Sequence, residues 1–178
     1  MKGLIFKEFL EMVEKEFGYE TVDSIIEQSK VPRNGVYTNV GTYDAAEMVA
    51  LVVALSKTKN IPVDKLLYAF GEYAFKVFVK GYPAFFEGKT NSFELLADVE
   101  NTIHVEVLKL YPDAELPTFQ VEELSKDKMV MVYHSARKLG DFAEGLIHGC
   151  IKHFGEKVTI EKENIEKDGS VVRFRMVK

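Results

Sequence analysis

At 178 residues and 47% hydrophobic, the chain carries enough apolar mass for a core of its own, and a single domain spanning 1–178 is expected. Its 23 Lys plus Arg against 28 Asp plus Glu leave a formal net charge of -5, which argues against nucleic acid as a partner. Cys150 is alone and forms no intramolecular disulfide, "MKGLIFKEFLEMVEKEF" is too charged for a secretion signal, and no apolar run approaches a membrane span, so a cytoplasmic protein is expected.

The first segment, "GLIFKEFLEMVEKEFG", reads as a helix: Ile5, Phe9, Val13 and Phe17 recur every four residues and Gly18 supplies a stop. A second short helix, "ETVDSIIEQS", precedes the turn-rich "VPRNG". In "TYDAAEMVALVVALSKTKN", the stripe Ala45, Met48, Val49, Val52 and Leu55 is expected to be buried, with Thr42 or Asp44 as the cap. Pro62 opens an aromatic-rich helix in which Leu66, Phe70, Ala74 and Phe78 share one side. "SFELLADVENTIHVEVLKLYP" continues the helical pattern through Leu96, Val99, Ile103, Val107 and Leu110 until Pro112 interrupts it.

Beyond Pro117 the hydrophobic period changes to two. "TFQVEEL", "KMVMVYHSAR", "KVTIEKENI" and "SVVRFRMV" read as strands, the last two joined by the turn signal "KDGS". One helix, "DFAEGLIHGCIKHFG", interrupts them, with Asp141 placed to cap it and Gly155 to end it. Helices first, then a small antiparallel sheet with a helix inside its run, predict an α+β fold.

His104 lies beside the stripe of its helix. It is read either as a satisfied histidine flanking a buried face or as an axial ligand for iron. Zinc is disfavoured, because Glu106 points elsewhere and Val107 and Leu108 occupy the following helical positions. His148, Cys150 and His153 are read as core and surface residues, since Cys150 falls in the stripe Ala143, Ile147, Cys150 and Phe154.

If "VYHSARK" is strand throughout, Tyr133, Ser135 and Arg137 project from one face. Two readings stand for this row: a solvated strand end, or a carboxylate-binding set in which a guanidinium fork is joined by two hydroxyls. A ligand with two carboxylates on an apolar body would suit the second. No P-loop, G-x-S-x-G, G-x-G-x-x-G or H-E-x-x-H occurs.

Taken together, "MKGLIF", "GTYDAAEM", "AFGEY", "IHVEVLKLYPDAELP", Y-x-S-x-R as "YHSAR", and "FAEGLIHG" resemble the haem nitric oxide/oxygen binding (H-NOX) domains, relatives of the haem domain of soluble guanylate cyclase, over nearly the whole chain. The resemblance implies a buried haem b (iron protoporphyrin IX) with His104 as proximal iron ligand. It implies that Tyr133, Ser135 and Arg137 bind the propionates and that Pro117 presses on the porphyrin. Ile5, Phe9, Ala74, Phe78 and Leu146 are implied for the distal wall.

At Phe142, oxygen-binding members of the family have a tyrosine whose hydroxyl donates to the bound gas. Oxygen draws negative charge when bound, and a charge-assisted hydrogen bond is worth roughly 1.5–3 kcal/mol. Its absence here implies selective binding of nitric oxide, with carbon monoxide tolerated and oxygen largely excluded, and with Tyr73 as the alternative donor. A sensor rather than an enzyme is expected, and a monomer. Nitric oxide would weaken the iron–histidine bond and so signal to a separate protein such as a histidine kinase or a diguanylate cyclase. Two rivals are a haem enzyme or electron carrier, which needs a polar distal group or an exposed haem edge, and an iron-free module for another apolar dicarboxylate or a protein.

Overall fold

The computed structural model describes residues 1–178. The N-terminal half is helical: α1 (Gly3–Phe17), α2 (Tyr19–Ser29), α3 (Ala45–Lys59) and α4 (Val63–Gly81). Gly18, at φ 86, separates α1 from α2, a conformation that costs glycine little. Asp44 caps α3, its carboxylate accepting the Ala46 N–H at 2.9 Å. Pro62 stands at the N-cap of α4.

These helices enclose one hydrophobic core around Phe6, Phe9, Ile25, Leu51, Leu55 and Phe70. The buried face of α1 is rotated from the expected stripe: Phe6 and Met12 join Phe9 and Val13, while Ile5 and Phe17 are only partly covered. Phe6 is drawn in by aromatic contacts, stacking on Tyr37 at 4.2 Å and meeting Tyr43 edge-on. In α3, Leu51 and Ala54 are buried and Val49 is 44% exposed, which corrects the stripe drawn through that nearly continuous apolar run.

The long helix expected between Ser92 and Pro112 is broken. α5 (Ser92–Ala97) is capped by Asn91, which accepts the Glu94 N–H at 3.1 Å. A π-turn, Val99–Ile103, follows, in which the Ile103 N–H reaches back five residues to the Asp98 carbonyl. α6 (His104–Leu110) then begins with the histidine.

Four strands form an antiparallel sheet of order β1-β2-β4-β3: β1 (Thr118–Leu124), β2 (Lys128–His134), β3 (Thr159–Asn164) and β4 (Val171–Val177). Met129, Met131 and Tyr133 of β2 alternate into a second core with Val172, Phe174 and Met176 of β4. α7 (Gly140–His153) packs into the same core through Ala143, Ile147, Cys150 and Ile151. This is the expected α+β arrangement.

Two local expectations fail at the end of β2. The strand stops at His134 instead of running to Arg137, because after one more ladder bond, Ser135 N–H to Ser170 O at 2.9 Å, the chain turns. In that turn the Ser135 hydroxyl accepts the Arg137 N–H at 3.2 Å, a local bond that competes with continued pairing. Asp141 does not cap α7. Leu139 holds the N-cap position, and the Asp141 carboxylate is instead taken by Lys162 of β3. Gly155, at φ 66, follows the helix as expected.

Candidate functional site

Between the two cores lies a cavity of about 310 Å³ with mostly apolar walls, at the small end of ligand-binding pockets. The π-turn and α6 contribute Val99, Ile103, His104 and Val107. The stripe read from the sequence as a helix's buried face is therefore largely a cavity wall. Leu4 and Ile5 of α1, Phe78 of α4, and Phe142 and Leu146 of α7 form another part. Pro117, just before β1, and Phe119 complete the side next to His104, whose ring lies 5.9 Å from that of Phe119.

His104 has a side chain only 14% exposed. Burial pushes its pKa below the ordinary value while the Glu100 carboxylate opposes that shift. The net shift favours the neutral imidazole, the form that ligates a metal. No group of three His, Cys, Asp or Glu side chains is arranged to hold a metal ion.

The polar residues gather at one rim. Tyr133, at the end of β2, is 2% exposed, and its hydroxyl accepts the Leu139 N–H at 3.1 Å. Burial raises its pKa, with Ser135, Leu139 and Arg137 pulling the other way. Ser135 and Arg137 also line the cavity. The turn, not strand alternation, brings them there beside Tyr133. The Arg137 side chain is 18% exposed and donates to Glu115 at 3.1 Å, whereas Glu115 itself is 86% exposed. A carboxylate so loosely held is readily exchanged for another acid at the guanidinium fork.

Not every expected wall residue reaches the cavity. Phe9 and Ala74 are buried in the helical core and do not line it, because on α1 and α4 the cavity takes the neighbouring turns, at Ile5 and Phe78. Tyr73 is also absent from the lining and packs on the helical core. Two further tyrosines, Tyr82 and Tyr111, which no motif marks out, do line it. Burial and then the neighbouring Tyr111 raise the Tyr82 pKa. Lys2 and Thr42 complete the lining near Tyr111, the Lys2 ammonium standing 5.3 Å from the centre of that ring. Cys150 is fully buried, and His153 is an exposed residue packed edge-on against Phe86.

An apolar cavity with one neutral imidazole in its wall and a guanidinium and two hydroxyls at its rim has the chemistry to take a flat apolar group that carries acids and a metal. The family described as "Haem-NO-binding" matches residues 2–162. The chain belongs to this haem-NO-binding, or H-NOX, family. Among solved structures, the Fe(II) unliganded H-NOX protein from K. algicida is 44% identical with a TM-score of 0.96, covering 100% of this chain and 96% of that chain. The H-NOX from Shewanella woodyi in the Fe(II)CO state is 38% identical with a TM-score of 0.85 and covers 100% and 94%. An H-NOX protein from S. oneidensis in the Fe(II)NO state is 26% identical with a TM-score of 0.91 and covers 99% and 98%. No curated protein sequence matches the chain. No helix of this H-NOX chain is long and apolar enough to cross a membrane.

Proposed function

We propose that this H-NOX chain is a haem-based nitric oxide sensor that largely excludes oxygen and signals to a separate protein. The observation that carries the reading is the lining of its cavity: a lone imidazole at His104, a polar rim, and a wall of Leu4, Ile5, Phe78, Phe142 and Leu146 without a side-chain hydrogen-bond donor.

His104 would hold the iron of haem b, and Tyr133, Ser135 and Arg137 would hold its propionates, Arg137 exchanging Glu115 for a propionate. The cofactor supplies a ferrous iron able to bind diatomic gases. A gas that gathers negative charge when bound needs a donor beside it, and none of Leu4, Ile5, Phe78, Phe142 and Leu146 offers one, so that Tyr82 and Tyr111 are the only tyrosine hydroxyls of the lining outside the propionate rim. Oxygen is disfavoured for that reason, while nitric oxide and carbon monoxide, which gather less charge, are not.

His104 is placed to convert binding into movement. It opens α6 directly after an irregular π-turn, and α6 has no fully buried residue. Weakening the iron–histidine bond would free this helix to take a second position, which is enough for a two-state switch. Pro117, in the same wall, would press on the porphyrin while the bond holds. The receiving chain is a separate signalling protein such as a histidine kinase or a diguanylate cyclase, and the sensor works as a cytoplasmic monomer without catalysis of its own.

An absorption spectrum of the reduced protein in air, then with nitric oxide, tests the reading. A Soret band unchanged by air and shifted by nitric oxide is expected. A stable oxygen complex would overturn the selectivity, and a colourless protein after expression with adequate haem would overturn the cofactor. In the first case Tyr82→Phe and Tyr111→Phe identify the responsible hydroxyl.

A further inference from the structure

We propose that Glu100 is a positioning residue for His104, fixing the tautomer of the imidazole and strengthening its hold on the haem iron. This rests on the reading of His104 as the axial ligand.

Glu100 does not line the cavity and touches no part of the ligand space. It acts on the ring from behind: its Oε2 lies 3.3 Å from His104 Nδ1. The same oxygen accepts the Phe119 N–H of β1 at 2.8 Å. That backbone bond separates this contact from an ordinary solvated pair four residues apart on a helix, because one end of the carboxylate is fixed to the sheet. The π-turn contains Glu100 and ends against His104, whose own N–H reaches back five residues to Val99. Such turns interrupt a helix at some cost to its regularity and occur often at functional sites.

The consequence follows from the two ring nitrogens. A carboxylate at Nδ1 keeps the proton there and leaves the lone pair of Nε2 for a metal. It also makes the imidazole a stronger donor, as carboxylate partners of metal-bound histidines do, and their removal costs metal affinity about 10- to 100-fold. A stronger axial donor favours the oxidised iron and so lowers the reduction potential. Glu100 thereby sets how firmly the bond resists being broken when a gas binds, and ties that bond mechanically to β1.

The test uses the full haem-loaded chain with Glu100→Met, and Glu100→Gln, which keeps an acceptor for both N–H groups but loses the charge. Resonance Raman spectra of the reduced protein read the iron–histidine stretch, electrochemistry reads the midpoint potential, and transfer to excess apomyoglobin reads haem loss. For Glu100→Met we expect a lower stretching frequency, a higher potential and haem loss faster by about 10- to 100-fold. Glu100→Gln should fold like the parent and fall between the two. Both variants keeping the parental stretch and potential, with only thermal stability altered, would overturn the proposal and leave Glu100 a structural link to β1. A parent protein with no iron–histidine band would instead overturn the assignment of His104 itself.

Discussion

His104 is the one histidine in the cavity lining, so His104→Gly should abolish the protein's axial bond to iron, and added imidazole should restore it. Absorption and Raman spectra with and without imidazole check this; coordination untouched by the substitution would refute the site. Phe142 allows the converse experiment. It lines the cavity and leans on Phe70 with ring centres 5.0 Å apart, and Phe142→Tyr adds a hydroxyl with little change of volume. The new donor should stabilise an oxygen complex by about 1.5–3 kcal/mol, roughly 10- to 150-fold in affinity, read from oxygen dissociation. At this scale much of the candidate site was legible, since His104, Tyr133, Ser135, Arg137, Pro117 and Phe142 carry their chemistry in their side-chain types and all line one cavity. Phe9 and Ala74 were misplaced because helical spacing gives a shared face without saying whether that face meets the cavity or the core behind it. Glu100 is not legible in this way, because a carboxylate four residues before a histidine reads as an ordinary helical pair until the fold brings the Phe119 N–H to the same oxygen.

The contact between α4 and α7 decides a prediction at the scale of elements. A Cβ on Gly145 would stand 2.1 Å from the Tyr68 carbonyl oxygen, and one on Gly71 2.3 Å from that of Phe142. Helix propensity alone favours alanine over glycine by about 0.8–1 kcal/mol in a helix interior. A backbone clash on both helices outweighs this, because overpacking costs typically 1–3 kcal/mol and backbone, unlike a flexible side chain, cannot step aside. Gly145→Ala is therefore expected to lower the Tm and the denaturant midpoint, and to disturb the wall at the adjacent Leu146 and at Phe142 one turn away; a rise in Tm would refute the close packing. The elements themselves were largely readable from period and punctuation. The break at Asp98 was not, because the apolar spacing continues through the π-turn and only the backbone register changes. The early end of β2 was hidden for a similar reason: Ser135 and Arg137 keep the alternation of a strand while the serine hydroxyl bonds locally and turns the chain.

Across the whole molecule, two cores meet over the cavity, and α6 spans its edge without a fully buried residue of its own. Polar ties stand near its two ends. Glu100 fastens the start to β1, and beyond the end Asp113 accepts from Lys2 Nζ at 2.6 Å and from the Thr42 hydroxyl at 2.5 Å. Lys2 also donates to Thr42 and to the Val40 carbonyl, so all three of its N–H bonds are used. This binds the N-terminal helices to the segment following α6. Lys2 first, then Thr42, draws the Asp113 pKa down from 3.8 to about 2. A depressed carboxylate pKa contributes stability that is fully present above the unfolded value and is lost as pH falls through the folded one. Asp113→Asn should therefore speed amide hydrogen exchange in Lys109–Glu115 by a factor that is constant between pH 7 and pH 5. Read as a ratio to the parent at each pH, the effect should shrink from about pH 4 toward pH 2. Because Asp113 is solvent-exposed, 1 M salt should narrow it as well. Equal exchange in the two proteins at pH 7, or a ratio indifferent to both pH and salt, would show that the segment is held by packing and not by this cluster.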